Sequence, residues 1–408
     1  MSERTKRILV VVGFIASVFG IGAALYFVFF KAAVPPATVN PDGTTASGSL
    51  PSSGTAGPRV ITPPAGTVTS GTKLPPAATV ANGGRTVTTA ITQGAVSFPT
   101  LGGDGKTMNF YNPADKKFYT VDKDGNLVLL SDKEFPSVEN AEWNKDSDKA
   151  VLEFPDGSNV VYDFTEERQV TLPKHWEDFQ FSPVSDEIEA KSMGIDPNNR
   201  WLVTTNDDGS NVKAFQALGE NESKVTISWS PNDQVIAFSD TADSMGVDRK
   251  MILPVGMKGE NFRGLTVEGL GFLSLWTPNG KQLLYSVSGD YSFNKPLLWL
   301  VDASPSTMGE NRHSLGVNTW ADKCTFATST TAYCAVPQNL PENAGLQRGL
   351  YVDYPDSVYK LDTTSSRVTL VAVPSEDTTM ENLSVSEDGA TLYFTGRDDG
   401  TLRTMRLK

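Results

Sequence analysis

The sequence predicts an all-β protein, a seven-bladed β-propeller, with six or eight blades as the neighbouring possibilities. A short sequence phrase recurs along the chain: an aromatic residue ends a strand, a Ser/Thr-Pro-Asn turn follows, and an apolar run begins the next strand. This phrase occurs at Trp229–Phe238 and again at Trp276–Tyr285. Weaker copies begin at Tyr111, Trp143, Phe181, Phe326 and Val385, so that successive copies are 32 to 59 residues apart. Self-similarity at a period of about 40–50 residues, with four short strands per unit, is typical of propeller blades.

The composition argues against some functions and leaves others open. The chain has 48 acidic and 35 basic residues and a formal net charge of -13, which argues against a nucleic-acid partner because such a partner requires a basic face. The acidic excess serves solubility or, alternatively, an acid-lined pocket for a cation or a basic peptide. His175 and His313 are the only histidines and fall near predicted connections between blades, so we expect surface or packing roles. We predict no metal site and no cofactor.

The chain is predicted to begin with a membrane anchor. Ile8–Phe30 carries no charge, and at 1.5 Å per residue a helix of this length spans about 34 Å, enough to cross a hydrocarbon core of about 30 Å. Arg4, Lys6 and Arg7 precede it, so the positive-inside rule predicts that residues 1–7 are cytoplasmic and that the remainder is extracytoplasmic. A cleaved signal peptide is the rival interpretation, but its apolar region would be shorter, about 7–15 residues.

Residues 31–84 are predicted to form a disordered linker rich in Pro, Thr, Ser and Gly. From Ala33 to Gly84 the only charged residues are Asp42, Arg59 and Lys73, and the segment contains no aromatic residue. Such a segment cannot bury enough apolar surface to offset the entropy of ordering its backbone. The propeller domain is therefore expected to occupy residues 85–408.

Each propeller unit is predicted from β-branched or aromatic runs separated by turn residues, with Asp-Gly pairs at tight hairpins. The strands expected in the most regular units are Thr107–Tyr111, Lys117–Asp122 and Asn126–Leu130 in the first, Val151–Phe154, Asn159–Phe164 and Gln169–Leu172 in the second, Trp201–Thr205 in the third, and Leu383–Ser386, Thr391–Thr395 and Thr401–Leu407 in the seventh.

The seventh unit has only three strands, and its fourth is predicted to come from the other end of the domain. Arg85–Thr92 is β-rich and has no unit of its own. Pairing this segment with Thr401–Leu407 would close the ring and remove two exposed sheet edges.

Two recurring patterns suggest ligand sites but favour structural roles. The acidic segments Asp122–Asn126, Asn206–Gly209 and Asp398–Gly400 offer oxygen ligands to calcium, yet none continues into a loop with a bidentate Glu at its twelfth position, and Asp-Gly is what a hairpin turn requires. A turn is therefore favoured, with a metal site as the alternative. The Trp and Phe anchors could stack on sugars, but their recurrence once per unit favours packing between blades.

The candidate binding residues lie in insertions that share one position in the repeat. These insertions, predicted between second and third strands, are Ser192–Asn199, Ser239–Arg249, Gly289–Lys295 and Pro337–Asp356. They should project from one face of the disc, and loops held by a rigid scaffold commonly carry binding function. The aromatic residues in them that do not follow the repeat are the candidate binding residues Tyr291, Phe293, Tyr351 and Tyr354.

The two cysteines, Cys324 and Cys334, are predicted to form a disulfide. They are placed symmetrically about Ser329, so a hairpin turning there would bring them opposite each other on adjacent strands. Outside the cytoplasm a pair so close should oxidise. Two buried thiols are the alternative.

The repeated phrases resemble the WD40-like repeat of TolB-type propellers. Trp229–Phe238 and Trp276–Tyr285 carry the likeness best, and Phe181–Pro183 and Glu387–Gly389 carry it in part. The resemblance extends over about residues 100–408 and implies the fold, and members of that family mostly serve as protein-binding platforms or as domains appended to peptidases. The chain lacks a Gly-x-Ser-x-Gly motif and the Gly-His and Trp-Asp signatures of eukaryotic WD repeats, so no functional residue is transferred.

These observations lead to one functional hypothesis and one alternative. The first is a single-pass, extracytoplasmic propeller that serves as a non-catalytic binding platform for an envelope protein or a cell-wall polymer. The alternative is a propeller enzyme of the lyase or glycan-processing type, with Asp, Glu and Tyr side chains at the central channel. Converging acidic and aromatic side chains would favour the enzyme, whereas a broad loop surface would favour the platform.

Overall fold

The structure, a computed structural model, describes residues 84–246, 248–260, 262–351 and 353–407. The predicted span Ile8–Phe30 and nearly all of the predicted linker lie outside these ranges. Within them, no helix has the length and apolar character needed to cross a membrane.

The described residues form seven four-stranded antiparallel sheets, which are the seven blades of a β-propeller. The chain begins with β1 (Thr88–Ala95) and continues through three blades. Blade 1 contains β2 (Ser97–Leu101), β3 (Met108–Asn112), β4 (Lys117–Val121) and β5 (Leu127–Leu129); blade 2 contains β6 (Asn140–Trp143), β7 (Lys149–Glu153), β8 (Asn159–Asp163) and β9 (Arg168–Leu172); blade 3 contains β10 (Trp176–Phe181), β11 (Ile188–Met193), β12 (Arg200–Thr205) and β13 (Lys213–Ala217).

The remaining four blades follow in the same order. Blade 4 contains β14 (Val225–Ile227), β15 (Val235–Ser239), β16 (Arg249–Gly256) and β17 (Leu265–Glu268); blade 5 contains β18 (Leu270–Trp276), β19 (Gln282–Ser288), β20 (Pro296–Asp302) and β21 (His313–Ser314); blade 6 contains β22 (Cys324–Thr328), β23 (Thr331–Pro337), β24 (Asp356–Asp362) and β25 (Arg367–Ala372); blade 7 contains β26 (Met380–Val385), β27 (Thr391–Gly396), β28 (Thr401–Arg406) and β1. Short 3-10 helices lie between strands, at Pro197–Asn199, Gly219–Lys224, Asp290–Ser292, Ala321–Lys323, Ala344–Leu346 and Arg348–Leu350.

The predicted closure of the ring is confirmed. The N-terminal strand β1 is the outer strand of blade 7 and pairs antiparallel with β28, with Thr88 opposite Met405 and Ala95 opposite Thr401. The strand begins three residues later than the predicted segment Arg85–Thr92. Ile91 is buried in a cluster with residues of blades 1 and 7, so the closing strand adds core packing as well as backbone hydrogen bonds.

The assignment of the first unit was wrong by one strand. Tyr111 lies in β3, the second strand of blade 1, whereas the first strand is β2. The phrase after Tyr111 is a genuine turn, because Asn112 accepts a hydrogen bond from the Ala114 amide. The same turn residues can connect any two adjacent strands of a blade. The sequence phrase therefore predicts a turn after Tyr111 but not which two strands the turn connects.

The aromatic anchors pack between blades, as their regular spacing predicts. The Trp143 ring lies 5.6 Å from Phe118 of blade 1 and 5.1 Å from Phe164 of its own blade, measured between ring centroids. Its indole N–H donates to the Phe98 carbonyl of blade 1, and that of Trp276 donates to Ser228 of blade 4. Full burial of a large apolar side chain contributes about 1.5–3 kcal/mol, which applies to the buried Trp276, while the half-buried Trp143 gains part of it.

The strand order defines an inner edge and two faces. First strands of adjacent blades contact one another, for example β2 with β6 and β22 with β26, so first strands surround the central channel. Because neighbouring strands are antiparallel, the loops between second and third strands share one face with the links that enter each first strand. We call this the loop face. The opposite end, which carries the hairpins between first and second and between third and fourth strands, is the turn face.

Four of the channel-lining first strands contain a bulge that the sequence did not predict. The pairing register shifts early in the first strands of blades 1, 3, 5 and 7, and in each case one residue has a positive φ. These residues are Phe98, Asp178, Gly271 and Asn382. A bulge redirects the side chain of the extra residue, so the backbone of these blades sets what is presented at the channel.

The cysteines are joined by a disulfide in blade 6. Cys324 and Cys334 lie directly opposite each other on β22 and β23, with Cα atoms 4.0 Å apart. The chain turns between these strands at Ser329 and Thr330. Both cysteines are buried within the cluster that packs blade 5 against blade 6.

Candidate functional site

The four predicted insertions all connect a second to a third strand and therefore share the loop face. In blade 5, for example, the hydroxyl of Tyr291 donates a 2.5 Å hydrogen bond to the carbonyl of Glu268, at the end of blade 4. In blade 6 the Thr379 hydroxyl, in the link to blade 7, donates to the Tyr354 carbonyl. The insertions are thus bonded to the links beside them.

Exposed apolar side chains concentrate at the tips of these insertions. We call them the tip set: Ile195 in blade 3, Met245 in blade 4, Tyr291 and Phe293 in blade 5, and Leu346 and Leu350 in blade 6. Phe293 is 66% exposed and Leu350 71%. Among the described residues the hairpins of the turn face expose two large apolar side chains, Val184 and Val212, and Leu127 is exposed directly after a third such hairpin. The apolar surface is therefore asymmetric between the two faces.

The blade 5 insertion holds its aromatic tip in a strained backbone conformation. Phe293 has φ 55° and ψ 38°, the left-handed region that a bulky residue seldom occupies. The conformation is fixed by local hydrogen bonds: the Phe293 amide donates to Asp290, the Asn294 amide to Gly289 and the Ser292 hydroxyl to Lys295. The insertion therefore holds an aromatic ring in solvent at a cost in backbone strain.

The insertions of blades 5 and 6 are bonded to each other and form one rigid ridge. The amide of Asn343 donates to the Phe293 carbonyl and that of Gly345 to the Asn294 carbonyl, at 2.9 and 2.8 Å. Farther along the blade 6 insertion, the Arg348 guanidinium lies 4.9 Å from the centre of the Trp320 ring. Contacts on both sides of the insertion thus hold the segment that carries Leu346 and Leu350.

The predicted binding residues divide into two groups. Tyr291 and Phe293 are exposed on the ridge. Tyr351 and Tyr354 are half-buried, with ring centroids 6.0 Å apart, and pack against the cluster formed by Trp320 and its neighbours. The second pair therefore supports the blade 6 insertion from below.

A cavity of about 580 Å³ opens at the inner edge of blades 2, 3 and 4. Its wall comes from the first strands β6, β10 and β14, from Ser223 in the link that enters β14 and from Lys191 near the end of β11, and the last two residues place its mouth toward the loop face. We call it the channel-mouth cavity. Its charged lining residues are Glu142, Asp178 and Lys191.

The blade 3 bulge builds part of this cavity. Asp178 has a positive φ, and its carboxylate forms an ion pair with the ammonium group of Lys191 at 2.6 Å. The Lys191 side chain is nearly buried. Gln180, two residues farther on, uses its side-chain oxygen to accept the Trp229 amide of blade 4. The bulge therefore fixes one ion pair at the cavity and one bridge to the next blade.

Several carboxyl groups around the cavity have raised pKa values. Burial raises the pKa of Glu142 to about 7, and the charge of Glu153 acts in the same direction. Burial also raises the pKa of Glu153, against a hydrogen bond from Asn140. Burial raises the pKa of Glu189 well above its ordinary value, although the charge of Lys191 opposes the shift. Carboxyl groups thus outnumber cations here.

The other candidate constellations have structural explanations. The Asp122 and Asp208 carboxylates each accept backbone amides of their own turns. His313 contacts the Ser366 hydroxyl at 2.6 Å, but its other ring nitrogen faces the carbonyl of Asn311 rather than an acid. Within the part of the chain that the structure describes, no three or more His, Cys, Asp or Glu side chains are placed to hold a metal ion.

The cavity was not predicted from the sequence. Glu142, Asp178, Glu189 and Lys191 come from three different strands, and only the closure of blades 2 and 3 brings them together. One local sequence feature pointed to these residues. Alternation along β11 places Glu189 and Lys191 on the same face of the strand, and the residues just before each of them are apolar.

The fold and this site define the class of the protein, a seven-bladed β-propeller with elaborated loops on one face. No protein-family model matches the chain, and no curated protein sequence matches it. Solved structures similar to it in fold include an oligogalacturonate lyase in complex with manganese, with a TM-score of 0.57 and 12% identity over 79% of this chain and 93% of that one.

Two further structures share the fold at similar distance. The oligogalacturonate lyase of Vibrio parahaemolyticus has a TM-score of 0.57 and 11% identity, again over 79% of this chain and 93% of that one. The β-propeller domain of Cps50 (Swd1) from Myceliophteria thermophila has a TM-score of 0.50 and 10% identity, over 80% of this chain and 100% of that one. At such identities the likeness extends to the fold alone.

Proposed function

We propose that the protein is a non-catalytic binding platform whose loop face docks another protein. The observation that carries this proposal is the concentration of exposed apolar side chains on the loop-face insertions, four of which, Tyr291, Phe293, Leu346 and Leu350, lie on the bonded ridge of blades 5 and 6. Exposed apolar side chains grouped on one surface mark interaction sites, and loops that are already ordered lose little entropy on binding.

A protein partner is favoured over a cell-wall polymer by the chemistry of the tips. Sugars stack on flat aromatic rings, but only Tyr291 and Phe293 of the tip set are aromatic. The other four members are Ile, Met and Leu, which suit the apolar centre of a protein interface. The polymer remains the competing outcome in the binding experiment below.

The proposed setting is the outer side of a membrane. Ile8–Phe30 is proposed as a single-pass anchor, with residues 31–84 as a tether that carries the domain of residues 85–408. The disulfide between Cys324 and Cys334 supports an oxidising compartment. We also propose kinship with the TolB-like, WD40-like repeat propellers, supported by the repeated turn phrase that ends first strands at Trp143, Phe181 and Trp276.

Affinity purification from native membranes tests the platform. The variant Tyr291→Ala/Phe293→Ala/Leu350→Ala should lose its co-purifying protein by at least about tenfold, because central apolar residues contribute roughly 2 kcal/mol or more each. The matched control, Val184→Ala/Val212→Ala, removes two exposed apolar side chains of the turn face and should retain the partner. If the protein instead sediments with purified cell wall, and this sedimentation depends on the same three residues, the partner is a polymer rather than a protein. Equal recovery by both variants would contradict the platform.

An enzyme at the channel is the second candidate, supported by the channel-mouth cavity. A carboxyl with a pKa of about 7, as in Glu142, suits a general acid or base near neutral pH. Two of the similar folds belong to oligogalacturonate lyases. An excess of carboxyl groups, however, repels a polyanionic glycan, which is why the platform is preferred. Formation of an unsaturated product from oligogalacturonate, lost in Glu142→Gln, would establish the enzyme instead.

A further inference from the structure

Within the part of the chain that the structure describes, the channel-mouth cavity and its surroundings hold more carboxyl groups than cationic groups. Lys191 is committed to Asp178 at 2.6 Å, and that pair is neutral. Glu142 lines the cavity, and among the described residues no donor forms a hydrogen bond with its carboxylate. Glu153 lies just behind, bonded to Asn140 of the cavity wall at 2.7 Å.

A second and independent observation comes from Glu189. Its side chain is fully buried, and both of its carboxylate oxygens are without a hydrogen-bond partner in the described structure. It lies directly opposite Gln180 and on the same face of β11 as Lys191, and both of these residues line the cavity. A buried carboxyl group without a partner is costly unless a compensating group is present.

We propose that the channel-mouth cavity binds one organic cation of the alkylammonium or guanidinium class, which pairs directly with the Glu142 carboxylate and favours ionisation of the buried, unpartnered Glu189 carboxyl group. This inference stands on the cavity and uses none of the tip set. It is therefore separable from the proposed platform, although a basic side chain of a docked protein is one source of such a cation.

An organic cation fits the site better than a metal ion. Metal ions require three or more oxygen ligands at about 2–2.6 Å, and the described carboxylates do not converge in this way. An ammonium or guanidinium needs only one or two carboxylates at about 2.7–2.9 Å. The volume of about 580 Å³ accommodates a whole side chain, and the apolar wall of Val225 and Ile227 suits its methylene stem.

Calorimetric titration of the full-length protein tests the proposal with three probes. N-acetyl-lysine amide and N-acetyl-arginine amide carry the cation, and N-acetyl-norleucine amide is the neutral isostere. We expect saturable binding of at least one of the two cationic probes and no binding of the norleucine amide. Glu142→Gln should weaken binding by at least about tenfold, the effect of losing one charge-assisted hydrogen bond. The control Glu166→Gln makes the same change at an exposed carboxylate on the turn face of blade 2 and should bind as the wild type does.

Proton release gives a readout that a structural role of Glu142 would not produce. Binding a cation near neutral pH should expel a proton from the cavity, measured as a dependence of the binding heat on buffer ionisation enthalpy, and Glu142→Gln should reduce it. Unchanged affinity in Glu142→Gln, equal binding of the norleucine amide, or a Glu142-dependent calcium site in place of amine binding would each overturn the proposal. Loss of the protein partner in the tip variants bears only on the platform, because those variants leave the cavity intact.

Discussion

At the scale of single residues, Phe293 shows a conflict between stability and exposure. A left-handed backbone costs a bulky L-residue about 1–2 kcal/mol, and Phe293 recovers little by packing because it is 66% exposed. Asn tolerates this conformation much better, and the next residue, Asn294, is itself Asn at φ 54°. The sequence therefore retains a less stable residue at the tip.

Phe293→Asn should stabilise the domain while it weakens partner binding. The expected gain is about 0.5–1 kcal/mol in the free energy of unfolding, from relief of backbone strain. Urea denaturation measures the gain, and affinity purification from membranes measures the loss. A lower stability with binding retained would show that the ring serves packing instead.

Glu142 gives a pH dependence with a defined sign. The pKa of Glu142 is about 7 in the folded protein, whereas the ordinary value for a glutamate, taken for the unfolded chain, is 4.5. The folded state therefore binds the proton more tightly. The resulting stabilisation is fully present below about pH 4.5 and is lost as the pH rises through about 7. Glu142→Gln should therefore gain about 1–3 kcal/mol relative to the wild type between about pH 5 and pH 8. Parallel stability curves for the two proteins over this range would contradict the assignment.

At the scale of elements, the disulfide joins two strands that are already paired. It closes a loop across a sequence separation of 10 residues, for which chain entropy gives about 2–3 kcal/mol at most. Unreduced mass spectrometry should find Cys324 bonded to Cys334. Cys324→Ala/Cys334→Ala should lower the melting temperature by roughly 5 °C without unfolding the domain. Free thiols at both positions under native conditions would show that the bond does not form in the cell.

Blade 1 shows where sequence reasoning succeeds and fails at this scale. The hairpin around Asp124-Gly125, between β4 and β5, is predicted because its turn requires a positive φ, and Gly125 has a positive φ. The first strand, β2, was missed because it ends at Leu101, without an aromatic anchor, and leads into a Gly-rich turn. Turn chemistry predicts that a hairpin exists, but not which strands it joins.

At the scale of the whole molecule, closure was predictable and the cavity was not. The C-terminal blade lacks one strand, and one β-rich segment near the N-terminus has no blade of its own. Pairing the two removes both exposed sheet edges, and β1 and β28 pair in this way. The charges at the channel mouth come from residues whose proximity depends on bulges and on packing between blades. No local pattern encodes those long-range contacts.

Closure gives a truncation test. Removal of residues 1–84 should leave a folded propeller, because β1 and the buried side chain of Thr86 are retained. Removal of residues 1–94 deletes nearly all of β1 and exposes the edge of β28, so aggregation or a fall of at least about 10 °C in melting temperature is expected. Thermal melts of the two proteins decide it, and equal melting temperatures would show that closure does not depend on β1.

The most direct test of the loop face as a docking surface is site-specific photo-crosslinking in living cells. A photoreactive amino acid replaces Phe293 or Leu350 on the loop face, and Val184 or Val212 on the turn face, which are also exposed. We expect one discrete protein adduct from each loop-face position and none from either turn-face position. Adducts of equal yield from both faces, or none from Phe293 and Leu350, would contradict docking at the loop face.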